Sequence, residues 1–247
     1  MKIAIIGTGK MGTAIEKMAI ENGHTVILKI NETNRELLQP DSLKQVDVAI
    51  EFTQPEAAID NLYACLDAGI PVVCGTTGWQ SRLSEVTERF QSEKGSLIYA
   101  SNFSVGVNLL FELNRILSGW MNRQPDYKAE IIENHHTAKL DKPSGTALTL
   151  ADDLMKFSMK YTEWSLTENK NHSAEKLAIE SIREDDVIGI HTINWTSSID
   201  KISLHHEAFS RSGFAAGALQ AASWIIGRKG IFTMKDVLFP PDSATNP

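Results

Sequence analysis

The chain begins MKIAIIGTGKMG over residues 1–12, and this stretch decides the fold. Lys2–Ile6 is a short apolar run, as expected for a buried strand. Gly7, Gly9 and Gly12 follow it in G-x-G-x-x-G spacing and open an amphipathic stretch. The first glycine permits a tight turn, the second lets the backbone approach a pyrophosphate, and the third allows close helix–strand packing. The motif therefore predicts a dinucleotide site.

Strand-like and helical runs alternate through the first hundred residues. We predict strands at 2–6, 25–30, 46–52, 72–74 and 97–100, and helices at 11–22, 56–68 and 81–94. Strands separated by helices imply right-handed crossovers and a parallel sheet. The fold expected here is a Rossmann-like α/β domain.

The pattern changes after residue 102. We predict helices at 107–120, 145–161 and 214–226, strands at 127–133, 177–182, 187–195 and 202–208, and a short apolar ending at 234–239. The middle of the chain is therefore an α+β region with a mixed or antiparallel sheet. The polar stretch Thr162–Glu175 is expected to be a mobile loop.

The domain prediction follows from this change of pattern. Residues 1–104 plus 212–247 are expected to form the dinucleotide-binding domain, because the late alanine-rich helix is suited to covering a parallel sheet. Residues 105–211 are expected to be an inserted α+β domain for substrate binding and oligomerisation.

Composition excludes several kinds of partner. With 247 residues, 42% of them hydrophobic, the chain suits a soluble globular protein. The net charge of −7 argues against nucleic acid or an anionic membrane as a partner. No apolar run reaches the roughly 18–20 residues of a membrane span, and the start of the chain does not resemble a signal peptide. Cys65 and Cys74 lack metal-type spacing, so we predict reduced core residues of a cytoplasmic protein.

A second motif, EIIENHHTAKLDKPSGTAL at Glu130–Leu148, carries the candidate chemistry. It offers two adjacent imidazoles, His135 and His136, followed by the cation of Lys139. The Ser-Gly-Thr at 144–146 indicates a helix start, whose free N–H groups and dipole favour an anion. Together these groups are suited to holding a carboxylate and protonating an atom beside it.

At this motif the chain resembles the 4-hydroxy-tetrahydrodipicolinate reductase (dihydrodipicolinate reductase) family. The family signature E-x-H-H-x-x-K-x-D-x-P-S-G-T-A is matched without a departure from Glu133 to Ala147. The resemblance implies an NAD(P)H-dependent oxidoreductase of lysine and diaminopimelate biosynthesis, acting on a small dicarboxylate, and a homotetramer joined through sheets of the second domain. It covers nearly the whole chain and is weakest at Thr162–Glu175.

The resemblance also implies roles for individual residues. His135 is the expected proton donor, with Lys139 as second acid and electrostatic stabiliser. The expected substrate-binding residues are His136, Gly145 and Thr146. The expected cofactor-binding residues are Gly7, Thr8, Gly9, Lys10, Met11, Gly12, Asn31, Gly75, Thr76, Thr77, Ala100, Ser101, Asn102 and Phe103.

The choice between NADH and NADPH stays open. An acid at the end of the second strand usually binds the adenosine ribose of NAD, and the family's acidic position aligns with Asn31. Asn31 would not repel a 2′-phosphate and Lys10 is placed to reach one, whereas Glu32 opposes it. We expect both cofactors to be used.

Three other functions compete with the reductase. The first is a metal enzyme, which is disfavoured because adjacent His135 and His136 on a strand point to opposite faces. We therefore expect no metal, although His191 or His206 could line the substrate cleft. His205 and His206 are expected to be one exposed and one buried strand residue. The second is a non-catalytic nucleotide sensor. Such a protein often carries a basic DNA-binding module, and the acidic balance of this chain counts against one. Another reductase, such as a semialdehyde dehydrogenase, would need a thiolate nucleophile, for which neither cysteine is well placed.

Overall fold

A computed structural model describes residues 1–168 and 175–240. The chain divides into two compact units, Met1–Val105 together with the chain from Arg211 onward, and Gly106–Ser210. Each unit contains its own sheet and its own hydrophobic core. The roles expected for the two domains remain predictions.

The strands of the described residues are numbered along the chain: β1 (Lys2–Ile6), β2 (Thr25–Ile30), β3 (Val48–Glu51), β4 (Val72–Cys74), β5 (Ser96–Tyr99), β6 (Lys128–His135), β7 (Trp164–Leu166), β8 (Leu177–Arg183), β9 (Ile190–Thr196), β10 (Lys201–Glu207) and β11 (Gly230–Phe232). The helices are α1 (Lys10–Glu21), α2 (Pro40–Leu43), α3 (Pro55–Asp67), α4 (Leu83–Ser92), α5 (Val105–Met121), α6 (Gly145–Phe157), α7 (Ser212–Ile225) and α8 (Met234–Leu238). Short 3₁₀ helices span Glu32–Leu37 and Gln80–Arg82.

The first unit is built on a parallel sheet of order β11-β5-β4-β3-β1-β2, which confirms the Rossmann-like prediction. The chain leaves β1 towards β2 on one side and returns to β3 on the other. Loops that follow β1 and β3 therefore diverge, and this divergence opens a crevice at the carboxyl edge of a parallel sheet. Strand β11 was not predicted; its three residues pair with β5.

Both faces of this sheet are buried, as the alternation along β1 shows. Ala4 and Ile6 pack in one core cluster with residues of α3 and α4. Ile3 and Ile5 pack in another cluster with residues of α1 and α7. Because a parallel sheet is covered by helices on both faces, its strands are mostly apolar along their length.

Helix α7 approaches the loop after β5 very closely. A Cβ added at Gly217 would lie 1.8 Å from the backbone oxygen of Phe103. We expect Gly217→Ala to lower the free energy of unfolding by about 1–3 kcal/mol, because overpacking forces the backbone to shift. The control is Gly119→Ala in α5, where an added Cβ meets nothing within 4 Å and alanine gains roughly 0.5–1 kcal/mol over glycine. Denaturant unfolding measures the free energy of unfolding of both variants. Equal changes of that free energy in the two variants would contradict the prediction.

The second unit contains a mixed sheet of order β10-β9-β6-β8-β7. Strands β6, β7 and β8 run parallel, and β9 is antiparallel to both β6 and β10. Its core joins Ile131, Ile179 and Ile193 of the sheet to apolar residues of α5 and α6. The mixed sheet agrees with the expected α+β layout.

Three local predictions in this unit were wrong. Trp164–Leu166, within the expected mobile loop Thr162–Glu175, forms β7 and pairs with β8; residues 169–174 of that loop lie outside the described residues. Helix α6 ends at Phe157, before Tyr161, because the Ser158 hydroxyl accepts the N–H groups of Lys160 and Tyr161 and forms a turn. Strand β9 begins at Ile190, three residues later than expected.

Residues 1–168 and 175–240 were also searched for membrane-spanning helices. Among them no helix is long and apolar enough to cross a bilayer.

Candidate active site

The second motif lies at the end of β6 and the start of α6, both in the second unit. Glu133 and His135 are two residues apart on β6, so their side chains point to the same face of the sheet. Both are buried. His136 follows directly after the strand and is half-buried. The two adjacent histidines therefore have different surroundings, one on the strand and the other just beyond its end.

Strand register brings further polar residues beside Glu133. On one side Glu133 pairs with Ser181 of β8, and on the other with His191 of β9, which in turn pairs with His206 of β10. Two residues further along the same two strands, Arg183 pairs with His135. We call Glu133, His135, Ser144, Ser181, Arg183 and His191 the Glu133 cluster. Three of its side-chain contacts join residues 47–50 positions apart in the sequence.

The carboxylate at the centre of the cluster is fully buried, at 0% exposure. It accepts hydrogen bonds from the Ser144 N–H at 3.1 Å and from the Ser181 hydroxyl at 2.8 Å. An Arg183 guanidinium nitrogen lies 3.2 Å away. Burial alone raises the pKa of Glu133, but the interactions with His135, Ser144 and Ser181 outweigh it and hold the pKa well below its usual range. Glu133 is therefore ionised at neutral pH.

His135 and His191 lie against each other on the buried side of the cluster. Their ring centroids are 5.0 Å apart with the rings nearly perpendicular. Nδ1 of His135 is 3.4 Å from Glu133, and Nε2 of His191 is 4.0 Å from the same carboxylate. Burial, together with the nearby His135, lowers the pKa of His191 to about 3. His191 is therefore neutral at neutral pH and unsuited to act as a general acid.

Lys139 lies in a loop whose backbone accepts hydrogen bonds from Arg183. The Lys139 ammonium pairs with Asp141 at 2.7 Å, and its side chain keeps 24% exposure. Arg183 donates to the backbone oxygens of Lys139 and Asp141, at 3.4 and 2.7 Å. The second nearby cation, Lys142, pairs instead with Glu168 at 3.0 Å. A partly exposed, backbone-anchored ammonium is suited to reach a bound anion.

The start of α6 contains two of the expected substrate-binding residues. Ser144 is its N-cap and accepts the Ala147 N–H at 3.2 Å. Gly145 and Thr146 form the first positions of the helix, where the helix dipole is positive. The Ser144 hydroxyl also lies 3.3 Å from Nε2 of His191. Gly145 and Thr146, two of the three substrate-binding candidates, are thus the first two residues after Ser144 of the Glu133 cluster.

In the first unit, the geometry of the glycine loop fits a dinucleotide. Gly7 has a positive φ of 100°, and a Cβ there would lie 2.0 Å from the Phe52 oxygen. A Cβ at Gly12 would lie 1.9 Å from the Gly7 oxygen, so this glycine permits close helix–strand packing. Gly9, in contrast, has nothing within 4 Å of an added Cβ. The open side at Gly9 is where a pyrophosphate would approach the backbone.

The remaining cofactor candidates lie at the same carboxyl edge of the parallel sheet, after β2, β4 and β5. Asn31 caps the 3₁₀ helix by accepting the Thr33 N–H and donates to the Thr8 hydroxyl at 3.4 Å, beside the glycine loop. Thr76 is buried and accepts the Thr53 N–H, whereas Thr77 is exposed. The side chains of Met11 and Phe103 pack in the core, so their contact with a cofactor would use the backbone. The other candidates are Lys10, the first residue of α1, and Gly75, Ala100, Ser101 and Asn102, in the loops after β4 and β5.

Metal-type spacing occurs within the Glu133 cluster. Ligand atoms of Glu133, His135 and His191 lie within 4.8 Å of one another, a grouping found in a search of the described residues only. The sequence did not reveal this set, because His191 is distant from Glu133 along the chain and reaches it only through the pairing of β9 with β6. The guanidinium of Arg183 already pairs with the same carboxylate, and a nearby cation disfavours a metal ion. That no metal is bound stays a prediction, which metal analysis of purified protein tests.

The two thiols are unsuited to covalent catalysis. Cys65 and Cys74 are free and buried. Burial raises the pKa of both thiols, and the carboxylate of Glu51 raises them further. Since the thiolate is the nucleophile, the semialdehyde dehydrogenase alternative lacks its reactive group at both positions.

Comparisons with family models match both parts of the chain. The model described as "Dihydrodipicolinate reductase, N-terminus" matches residues 1–103. The model described as "Dihydrodipicolinate reductase, C-terminus" matches residues 106–238. The two matches together cover the described residues of both units almost completely.

Individual relatives agree with the family models. A 4-hydroxy-tetrahydrodipicolinate reductase of Christiangramia forsetii is 44% identical over 240 residues, covering 96% of this chain and 98% of the relative. One of Thiobacillus denitrificans is 33% identical, with the same coverage of both chains. A solved structure of a dipicolinate-bound dihydrodipicolinate reductase from Paenisporosarcina matches with a TM-score of 0.77 over 96% of this chain and 98% of the other. At 22% identity that likeness supports the fold.

Proposed function

The chain belongs to the dihydrodipicolinate reductase family, and we propose that it reduces 4-hydroxy-tetrahydrodipicolinate to tetrahydrodipicolinate with NADH or NADPH, in lysine and diaminopimelate biosynthesis. The observation that carries the proposal is the intact family signature, folded so that His135 is buried beside an ionised carboxylate near the start of α6. The glycine loop of the first unit fits the cofactor that this reaction requires.

The proposed chemistry assigns separate tasks to the residues of the second motif. A reduced nicotinamide, when bound, supplies hydride to the substrate ring. Adding hydride to a conjugated imine leaves electron density that needs a proton, and His135, buried beside an ionised carboxylate, donates it. Lys139 stabilises negative charge and acts as second acid. The overall reaction releases water.

Substrate binding is assigned to the start of α6 and the end of β6. The backbone N–H groups of Gly145 and Thr146 face a carboxylate of the substrate, where the helix dipole favours negative charge. His136, which follows the catalytic histidine, is the third binding residue. These assignments are supported by the family signature and by the N-cap geometry of Ser144.

A coupled assay tests the function. The purified protein is supplied with its unstable substrate by a synthase, and oxidation of the reduced nicotinamide is followed by absorbance. We expect substrate-dependent oxidation well above background. Protein that binds NADH but shows no such oxidation would favour a non-catalytic sensor or a reductase of another small carboxylate.

Cofactor preference depends on Asn31. Because its side chain is neutral and lies beside the glycine loop, we expect both NADH and NADPH to be used. We expect kcat/KM for the two to differ by less than about a hundredfold, or about 2.7 kcal/mol. Asn31→Asp should shift preference towards NADH, because a carboxylate repels a 2′-phosphate. The ratio of kcat/KM values measures the shift; an unchanged ratio would place the 2′-phosphate elsewhere.

We further propose that four copies associate through sheets of the second unit. Support comes from one sheet face, opposite the core, where Glu130, Asn194 and Ser203 form a hydrogen-bonded row across β6, β9 and β10. Asn194 is buried at 4% exposure even on this face. Light scattering at micromolar concentration tests the assembly, and a stable monomer would contradict it.

We also propose a cytoplasmic location. It is supported by the two cysteines, which are unpaired and buried, as is usual where thiols are kept reduced. Cell fractionation with an antibody against the chain tests it, and recovery outside the cytoplasmic fraction would contradict it.

A further inference from the structure

Glu133 is a buried charged residue to which the proposed chemistry gives no task. Burying a carboxylate costs free energy unless the group is paired and hydrogen-bonded. Here Ser181 and Arg183 of β8 and the Ser144 N–H at the start of α6 all converge on it from two different elements. A carboxylate held by so many donors has a fixed position and keeps its charge.

The orientation of His135 relative to this carboxylate is specific. Its Nδ1 lies 3.4 Å from Glu133. Its Nε2 lies next to position 189, where an added Cβ would be only 3.2 Å from that nitrogen. A glycine at 189 therefore leaves space on the Nε2 side. The 3.4 Å separation is longer than a good hydrogen bond, which is common for catalytic pairs before substrate binds.

We propose that Glu133 is a positioning residue, which orients the His135 ring so that Nε2 presents the transferable proton. This inference rests on the proposed reductase function. A carboxylate beside Nδ1 keeps a proton on that nitrogen, so the proton given to substrate leaves from Nε2. The neutral ring that remains has the tautomer needed to accept a new proton at Nε2.

His191 does not duplicate this role. It lies 4.0 Å from Glu133, and its low pKa leaves it uncharged. Because the Ser144 hydroxyl already accepts the Ala147 N–H, it is free to donate its own proton to Nε2 of His191. His191 is thus an uncharged ring against which the His135 ring packs.

Glu133 also connects the proton donor to the rest of the site. It accepts the Ser144 N–H at the start of α6, and its partner Arg183 holds the backbone oxygens of Lys139 and Asp141. A purely structural role would therefore affect substrate binding and folding. A role through His135 would instead affect the proton-transfer step, and the two are separable by experiment.

A double-mutant cycle makes this separation. We expect Glu133→Gln to lower kcat by about 10- to 100-fold, with KM changed less than about threefold. This loss is smaller than the roughly 10²–10⁴-fold contribution of a general acid, because His135 itself remains. In a His135→Gln background the same substitution should lower kcat by less than about threefold, because residues that act as a unit are not additive. Equal factors in the two backgrounds would overturn the proposal. Glu88→Gln, on the exposed face of α4, is the control for the substitution itself.

Folding and tautomer are measured separately. If Glu133→Gln unfolds, which circular dichroism and NADH binding reveal, Glu133→Asp serves in the cycle, because it keeps the charge but shortens its reach. Nitrogen-15 NMR of histidine-labelled protein reads the tautomer of His135 without turnover, with His135→Gln identifying its signals. We expect a proton on Nδ1 in the wild type and its partial loss in Glu133→Gln. An unchanged tautomer overturns the proposal, whereas a wild type without turnover overturns only the reductase function.

Discussion

His135→Gln should lower kcat by roughly 10²–10⁴, the usual contribution of a general acid. Glutamine is polar and similar in reach, so it preserves much of the packing against His191. It cannot release a proton near neutral pH, and the electron density left by hydride addition would have to be protonated by water or by Lys139. The change is therefore expected in kcat, with binding of NADH unaffected because the glycine loop belongs to the other unit.

The matched control for this variant is His24→Gln. His24 lies in the turn between α1 and β2, where its N–H donates to the Ala19 oxygen. It is at the edge of the parallel sheet opposite the glycine loop, so we expect activity within about threefold of wild type. Steady-state kinetics in the coupled assay measures both. A His135→Gln enzyme with kcat near that of His24→Gln would remove His135 from the proton-transfer role.

The sequence allowed prediction of those parts of the site that are contiguous. His135, Lys139 and the start of α6 lie within one motif, so their chemistry is visible without knowing the fold. The glycine loop is visible for the same reason. Its steric basis, with a Cβ at Gly12 only 1.9 Å from the Gly7 oxygen, agrees with the roles expected from spacing alone.

Other parts of the site depend on the order of the strands in the sheet, and local sequence patterns do not reveal that order. Ser181 and His191 meet Glu133 only because β8 and β9 both neighbour β6. Ser181 and Arg183 are two residues apart on β8 and therefore share a face, but nothing in the local sequence identifies the strand beside it. The Glu133 cluster therefore became visible only in the sheet.

Two short strands were not predicted, for a related reason. Gly230–Phe232 and Trp164–Leu166 have too few residues to show a period of two, and they form strands by pairing with β5 and β8. In the expected mobile loop, polar composition hid a segment that completes the edge of the second sheet. Tertiary pairing overrides weak local preference in such segments.

Lys139→Ala should lower kcat/KM by about 10²–10³, as expected when a preorganised charge that stabilises the transition state is removed. The side chain is 24% exposed and pairs with Asp141, so its removal leaves no buried charge without a partner and the fold should survive. Loss of the cation should raise KM for the anionic substrate, and loss of the second acid should lower kcat. Lys142→Ala, in the same loop but paired with Glu168, is the control, with an expected effect below about threefold.

Lys139→Arg separates the two roles of this lysine. A guanidinium retains the positive charge but does not give up its proton in proteins. If Lys139 acts as an acid as well as a cation, the arginine variant should recover much of the KM lost in Lys139→Ala while kcat stays low. Full recovery of kcat would restrict Lys139 to electrostatic stabilisation and leave His135 as the proton donor. If neither parameter recovers, the site requires the compact ammonium that Arg183 holds in place through the backbone oxygen of Lys139, and charge alone does not explain its role.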